Sequence, residues 1–322
     1  MAPISPRKLE TRKFGKTGLE ITRIGLGTWA IGGGGWAFGW GPQADKPSVE
    51  AIHRSLESGI NWIDTAPVYG TGHAEEVVGG AIAGRSPAPY VFTKVSLLWD
   101  SRRRVRSSLK AESIRQEADA SRRRLGLDVL DLLQVHWPNP EEDIEEGWRA
   151  LAGLKDEGKV RHIGVSNFSV EQMERAAAIA PVETLQPPYS LVHPEVQDEI
   201  LPYAKQHGIG VIVYSPMASG LLGGTMTAER VQAMAPDDWR RKDPEFKGAR
   251  LQRNLALAAL LAEIGKEHHA SAGEVAIAWT LRNPAVTAAI VGARSAPQVD
   301  GFLHASEVRL TQTEVDRLVS FP

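Results

Sequence analysis

Cysteine is absent from all 322 residues. Disulfides, thiolate nucleophiles and cysteine-ligated zinc or iron–sulfur centres are thereby excluded. Nothing follows about compartment, because a chain without thiols tolerates oxidising and reducing surroundings alike. An excess of one charge sign is missing too. With 37 basic and 39 acidic residues the net charge is −2, which gives no electrostatic reason to expect nucleic acid or an anionic membrane as partner. The local exceptions are Arg102–Arg104 and Arg122–Arg124, read as solvated faces or helix C-termini. No stretch is long and apolar enough to span a bilayer. Met1–Thr17 carries Pro3, Pro6 and several charges but no apolar run of signal-peptide length. The expectation is a cytoplasmic protein with no obligate protein partner.

What is present is ordinary for a folded enzyme: 42% hydrophobic residues, enough for a substantial core, and 24% charged ones. Short apolar runs alternate with amphipathic segments along the chain. Strands are expected at Ile24–Gly27, Ile60–Asp64, Tyr90–Lys94, Val129–His136, His162–Val165, Thr184–Gln186, Gly210–Tyr214 and Thr287–Val291. Helical patterns lie between them, near Ser48–Ser58, Ala74–Ala83, Leu109–Leu125, Ile144–Glu157, Val170–Ile179, Val196–His207, a long region over Leu251–Leu281, and Pro297–Ala305. Gly126 and Gly208 suit left-handed helix ends, and Ser271 suits an N-cap. Eight strands alternating with helices predict an α/β fold, a (β/α)8 TIM barrel, as one domain over residues 1–322. Thr11–Thr22 reads as an N-terminal β-hairpin capping the barrel floor. Ser215–Gly248 reads as a long irregular loop that emerges at the C-terminal face, where barrel active sites sit.

Four polar residues fall at or just past the ends of three successive strands: Asp64, Tyr69, Lys94 and His136. Strand parity puts Asp64 on the face of Trp62, Lys94 on that of Phe92 and His136 on that of Gln134. Each alone has a bland use, as helix cap, surface charge or core filler. Together they place costly groups where burial calls for apolar ones, which marks a functional site. Carbonyl reduction is the chemistry that fits. Hydride addition leaves negative charge on oxygen, a phenol can supply the proton, and a nearby ammonium, anchored by a carboxylate, is expected to make that phenol more acidic. The histidine can orient the substrate oxygen or relay the proton.

The order Asp64, Tyr69, Lys94, His136, within "GINWIDTAPVYGTGHAEEVVG", "VFTKV" and "LDLLQVHWP", closely resembles the aldo-keto reductases. "GKVRHIGVSNF" (Gly158–Phe168), "GIGVIVYSPMASGLL" (Gly208–Leu222) and "AAIVGARSAPQV" (Ala288–Val299) extend the resemblance over essentially the whole chain, toward the bacterial NADPH-dependent members. It implies a catalytic tetrad of those four residues. Ser166, Asn167 and Gln186 would hold the nicotinamide carboxamide, and Tyr214 would stack on the ring. Ser215, Ser219, Gly220 and Leu221 would cradle the pyrophosphate, and Gly292, Arg294 and Gln298 would meet the adenosine 2′-phosphate. NADPH is therefore the expected cofactor, mainly on account of Arg294, with NADH as an alternative. No metal is called for. Two departures stand out: Gly301-Phe302 replaces the family's Glu-Asn grip on adenine, and Gly223-Gly224-Thr225 follows "SGLL" where a basic residue is usual.

The string Gly25-Leu26-Gly27-Thr28-Trp29-Ala30 satisfies a dinucleotide fingerprint, but the glycine run after it will not start the helix that such a site needs. Trp29 and Trp36, with Trp40 beside them, together with Trp137 and Trp99, suggest an aromatic pocket for a small carbonyl substrate, scattered core tryptophans being the alternative. Two other functions for such a barrel stay open: a cofactor-bound regulatory or sensor module of the channel β-subunit type, and a lyase forming a Schiff base on Lys94.

Overall fold

The structure, a computed structural model, describes residues 9–322; Pro3 and Pro6 of the N-terminal segment lie outside the described residues. The chain opens with the expected hairpin, β1 (Thr11–Lys13) paired antiparallel to β2 (Glu20–Thr22). Eight parallel strands then close a barrel: β3 (Ile24–Gly27), β4 (Trp62–Asp64), β5 (Tyr90–Val95), β8 (Leu130–Val135), β9 (Val160–Ser166), β10 (Thr184–Gln186), β11 (Gly210–Val213) and β12 (Val286–Gly292). All eight expected strands are present. Parallel strands buried on both faces read as continuous apolar runs, which is why they were legible.

Helices α1 (Asp45–Glu57), α2 (His73–Ile82), α3 (Ala111–Leu125), α4 (Ile144–Asp156), α5 (Val170–Ala177) and α6 (Ile200–His207) follow the anticipated pattern. Gly126 and Gly208 end α3 and α6 at φ of 67° and 69°. The single long region expected near Leu251–Leu281 is two helices, α8 (Gly248–Glu267) and α9 (Ala272–Leu281). His269 turns left-handed at φ 51°, and a reciprocal Ser271–Glu274 capping box restarts the chain. The helix expected over Pro297–Ala305 is α10 (Ala296–Asp300) followed by a 3-10 turn at Leu303–Ser306. A second capping box, Thr311 with Glu314, opens a C-terminal helix, α11 (Gln312–Val319), that was not anticipated.

Inside the barrel, Trp62, Phe92, Leu132, Ile212, Ala288 and Ile290 form an apolar floor joined by Phe14 and Ile21 of the hairpin. Phe14 has no exposed surface and lies 5.7 Å from Phe92, ring stacked on ring, so the hairpin does cap the floor. Burying such a ring contributes about 2 kcal/mol. Gly25 makes room for the floor: a Cβ there would lie 2.1 Å from the Trp62 indole.

Two segments depart from expectation at the opposite, C-terminal mouth. Between β5 and α3, β6 (Leu97–Trp99) and β7 (Val105–Ser107) pair as a small hairpin. Residues 215–248 are not irregular. They hold a 3-10 segment at Ala218–Gly223, helix α7 (Ala228–Gln232), and 3-10 turns at Trp239–Arg241 and Pro244–Phe246.

Candidate active site

The tetrad begins with the ends of β4 and β5. Lys94 and Asp64 are both buried, and the Lys94 ammonium donates to Asp64 Oδ1 at 2.6 Å and to the Thr65 carbonyl at 3.0 Å. The other carboxylate oxygen accepts the Gln186 side-chain amide at 2.8 Å, from β10 across the barrel. Burial pushes the Asp64 carboxyl up and the Lys94 amine down, and each is opposed by the charge and hydrogen bond of the other.

Tyr69 follows in the turn after β4, where its amide donates to the Ala66 carbonyl. The ring is 8% exposed, and the Lys94 nitrogen lies 5.4 Å from its centre. Sequence reasoning expected that ammonium to make the phenol more acidic. The structure gives the opposite direction: burial first, then the Asp64 charge, hold Tyr69 well above its ordinary value. The phenol therefore stays protonated. Donation does not require acidification, because an alkoxide is a stronger base than a phenolate.

His136 follows β8, its amide still paired to the Val95 carbonyl at 2.9 Å. Its ring sits edge-on to Tyr69 at 5.9 Å. Burial, then the Lys94 charge, holds it well below its ordinary value and hence neutral, and its buried Nδ1 has no partner among the described residues.

The residues assigned to the nicotinamide stand beside this group. Ser166 Oγ donates to the Gln186 carbonyl at 2.7 Å. Asn167, left-handed at φ 62°, donates to the His136 carbonyl at 3.0 Å and to Ser166 Oγ at 3.1 Å, and its oxygen accepts the Tyr214 hydroxyl at 2.9 Å. Gln186 thus spends one amide N–H on Asp64, a link that sequence reasoning missed, while Tyr214 lines the cleft.

Beyond Tyr214 the chain takes left-handed backbone at Ser215 (54°), Ala218 (46°), Ser219 (54°) and Gly220 (95°). Three of these four are not glycine, and such backbone is a cost met chiefly at ligand sites, where successive amides can face an anion. Ser215, Ser219 and Gly220 line the cleft; Leu221 buries its side chain in the core instead. Gly292, Arg294 and Gln298 line the far end. Arg294 is already engaged: Nε donates to Gln43 Oε1 at 2.6 Å, Nη1 to the Trp40 carbonyl at 3.3 Å, and Nη2 to the Pro42 carbonyl. Its backbone amide donates to Gln298 Oε1 at 2.7 Å. Both departures from the family pattern reach the cleft, one through Gly301 and the largely buried Phe302, the other through Gly223 and Thr225.

The substrate side is aromatic. Trp29 lies 6.3 Å from Tyr69, ring over ring, and Trp36 lies 6.4 Å from it. Trp137 is 40% exposed at the mouth, its backbone held by Ser96 Oγ. Trp99 is not part of this wall; it faces the Arg124 guanidinium instead. Sequence reasoning missed Trp239 and Arg240. Trp239 stacks on Trp29 at 5.1 Å, and Arg240, paired with Asp238, lies 4.3 Å from the Trp40 ring. They come from the 215–248 segment, which has no periodicity to announce them. The arginine runs also do more than face solvent. Arg124 pairs with the buried Glu75 at 2.7 Å, and Arg103 ties Gly70 and Thr71, next to Tyr69, to Gly35.

These groups share one cleft of about 1050 Å3. Its walls hold neutral amide donors and acceptors, a loop of left-handed backbone and arginines, the kinds of group a nicotinamide dinucleotide needs. Four polar residues stand next to that cleft at the C-terminal mouth of a parallel barrel, where enzymes of this fold keep their active sites. The chain belongs to the aldo/keto reductase family, whose description matches residues 23–321. The family's cofactor is NAD(P)H, and its members act on small carbonyl compounds.

The chain is 41% identical over 297 residues to the aldo-keto reductase YhdN of Bacillus subtilis, covering 91% of this chain and 88% of that one. It is 31% identical over 314 residues to an NADH-specific methylglyoxal reductase of Escherichia coli, covering 93% and 94%. Among solved structures it is similar to the glycerol dehydrogenase AKR11B4 from Gluconobacter oxydans, with TM-score 0.86 and 38% identity over 96% of this chain and 93% of that one. Among the described residues no helix is long and apolar enough to cross a membrane.

Proposed function

We propose that the protein reduces aldehydes and ketones to alcohols with NADPH, the proton coming from Tyr69, and that NADH serves as a second cofactor. The observation that carries this reading is the convergence of the buried Lys94–Asp64 pair, the neutral His136 and the Tyr69 ring at one aromatic cleft. When bound, the nicotinamide supplies hydride to the carbonyl carbon. The carbonyl π pair then resides on oxygen, and Tyr69 hands its hydroxyl proton to that oxygen, leaving a phenolate. Lys94 stabilises the phenolate until a solvent proton restores it, Asp64 keeps Lys94 charged, and neutral His136 orients the oxygen. Trp29, Trp36 and Trp137 suit a substrate with an apolar or aromatic body.

Preference for NADPH rests on Arg294, which has two of five N–H donors uncommitted, and on Arg230 and Arg240 lining the same cleft. One relative's name points the other way, since the methylglyoxal reductase of Escherichia coli is NADH-specific. A Schiff base on Lys94 lacks support, because that amine is buried, is held by Asp64 and Thr65, and does not line the cleft. The test is Tyr69→Phe. Carbonyl reduction is expected to fall roughly 100-fold or more, while NADPH titration by fluorescence stays near normal. Near-normal turnover would remove Tyr69 as the donor.

A further inference from the structure

The cleft carries cations without acids to balance them. Among the described residues Asp64 is the only carboxylate lining it, and Lys94 already holds that group. Three of its arginines, Arg230, Arg240 and Arg294, come from the segments that follow β11 and β12. Burial, then the Arg240 charge, lowers the Arg294 pKa, so these two guanidiniums feel one another. Surplus positive charge in a sheltered cleft favours an anion.

Arg240 reaches the left-handed loop at Ser219 and Gly220. Its Nη1 donates to the Ser219 carbonyl at 3.4 Å, and a Cβ on Gly220 would lie 3.8 Å from the same nitrogen. Asp238 holds the side chain in place. Its carboxylate accepts Nε at 3.0 Å and Nη2 at 2.6 Å, and it also accepts the Arg240 amide at 3.1 Å. The Arg240 and Asp238 side chains are 12% and 3% exposed, and the Trp40 ring lies 4.3 Å from the guanidinium. A guanidinium has five N–H donors. Three are committed here, which leaves one on each terminal nitrogen. The loop itself supplies no cation, since residues 215–229 hold neither lysine nor arginine.

We infer that Arg240 is a phosphate-binding residue, which offers its two uncommitted N–H donors to the cofactor pyrophosphate at the Ser219–Gly220 loop. Left-handed backbone turns amides toward an anion, but amides alone leave the phosphate charges without a counter-ion. The guanidinium brings that charge from a turn 21 residues beyond Ser219. It suits the task because it can meet two phosphate oxygens at once and stays charged when largely buried. The Trp40 ring and the Asp238 carboxylate stabilise the cation before any phosphate arrives. Pyrophosphate is common to both cofactors, so Arg240 serves NADH as well as NADPH. Its charge further favours the more negative of the two.

This inference rests on the seat proposed for the pyrophosphate and not on the proposed reduction. The probe is ADP-ribose, which has the diphosphate but neither nicotinamide nor 2′-phosphate, and calorimetry on the full chain reads its binding without turnover. Arg240→Gln combined with Asp238→Asn removes the cation without stranding a buried carboxylate. Kd for ADP-ribose should rise about tenfold or more, the scale of one hydrogen bond to a charged group. Kd for NADH and for NADPH should rise at least as far. Affinity should also fall less steeply with added KCl than in the wild type. Arg240→Lys keeps the charge but loses the fork; it should lie between the two, and it keeps the test open if the double variant does not fold. Wild-type affinity for ADP-ribose and NADH, even with NADPH weakened, overturns the inference. So does weaker binding with an unchanged salt dependence, which would leave Arg240 as a latch for its own turn. Gly220→Ala, strained at φ 95°, tests the seat itself. Unchanged ADP-ribose binding there would move the pyrophosphate elsewhere and the inference with it, whereas a loss there beside intact binding in the Arg240 variants sinks Arg240 alone.

Discussion

Gln186 reaches across the barrel from β10 to donate 2.8 Å to Asp64 on β4, 122 residues earlier, and takes the carboxylate oxygen that Lys94 leaves free. The side chain expected to grip the cofactor therefore also braces the Lys94–Asp64 pair. One amide N–H and the carbonyl oxygen remain free for a ligand, and Lys94, Asp64, Gln186, Ser166 and Asn167 form one hydrogen-bonded unit.

Gln186→Leu follows from this relationship. It strips one donor from a buried carboxylate, which costs ~2 kcal/mol for a hydrogen bond to a charged group. We expect thermal melting to drop by about 5 °C. Because the Lys94 ammonium loses its fixed anchor, kcat should fall by about tenfold beyond any effect on cofactor binding. Steady-state kinetics at saturating NADPH, with calorimetry, measure both. A variant with wild-type melting and wild-type kcat would show that the Gln186–Asp64 contact does nothing for the pair.

Much of this site was readable beforehand, for identifiable reasons. Asp64, Lys94 and His136 end runs whose alternation forces them inward, so parity alone brought them together. The Gln186–Asp64 bond was not readable, because it depends on how far apart two strands lie around a closed barrel. Trp239 and Arg240 were hidden for another reason: they sit in short turns fixed by tertiary contacts with Trp29 and Trp40 rather than by any repeat. The β6–β7 hairpin was masked by Arg102–Arg104, which form its polar tip. The direction of the Tyr69 shift could not be inferred at all. It turns on burial outweighing a nearby ammonium, and burial is a property of the folded cleft. By contrast, the signal for α11 was present as Thr311-x-x-Glu314, the spacing of a capping box.

Arg294→Ala separates two roles for one guanidinium. Through Gln43 and the Trp40 and Pro42 carbonyls, it pins the loop after the glycine run to the end of β12. Losing that latch should weaken both cofactors alike. Losing a phosphate partner should weaken NADPH alone. We expect KM for NADPH to rise by at least tenfold more than KM for NADH, the scale of one charge-assisted contact. Equal rises for the two cofactors would leave Arg294 as a latch only.

Glu117 offers a pH-dependent prediction outside the tetrad. On α3 it is 5% exposed; Oε2 accepts the Ser96 amide at 3.0 Å, and Oε1 accepts Ser113 Oγ at 3.1 Å. Ser96 Oγ in turn clasps the Trp137 backbone at the cleft mouth. Burial outweighs those donors and raises the carboxyl from 4.5 to about 7. Between these two values the folded chain holds a proton that the unfolded chain has released. Stability from this group is therefore present below about pH 4.5, is lost as pH rises to about 7, and is flat above that. Glu117→Gln keeps an oxygen for the Ser96 amide but cannot titrate. Relative to wild type, its stability should rise between pH 5 and pH 8 by up to ~2.5 kcal/mol, read as several degrees in melting temperature at pH 8 compared with pH 5. A difference between the two proteins that stays constant across that range would mean Glu117 titrates at its ordinary value, and burial would not be what governs it.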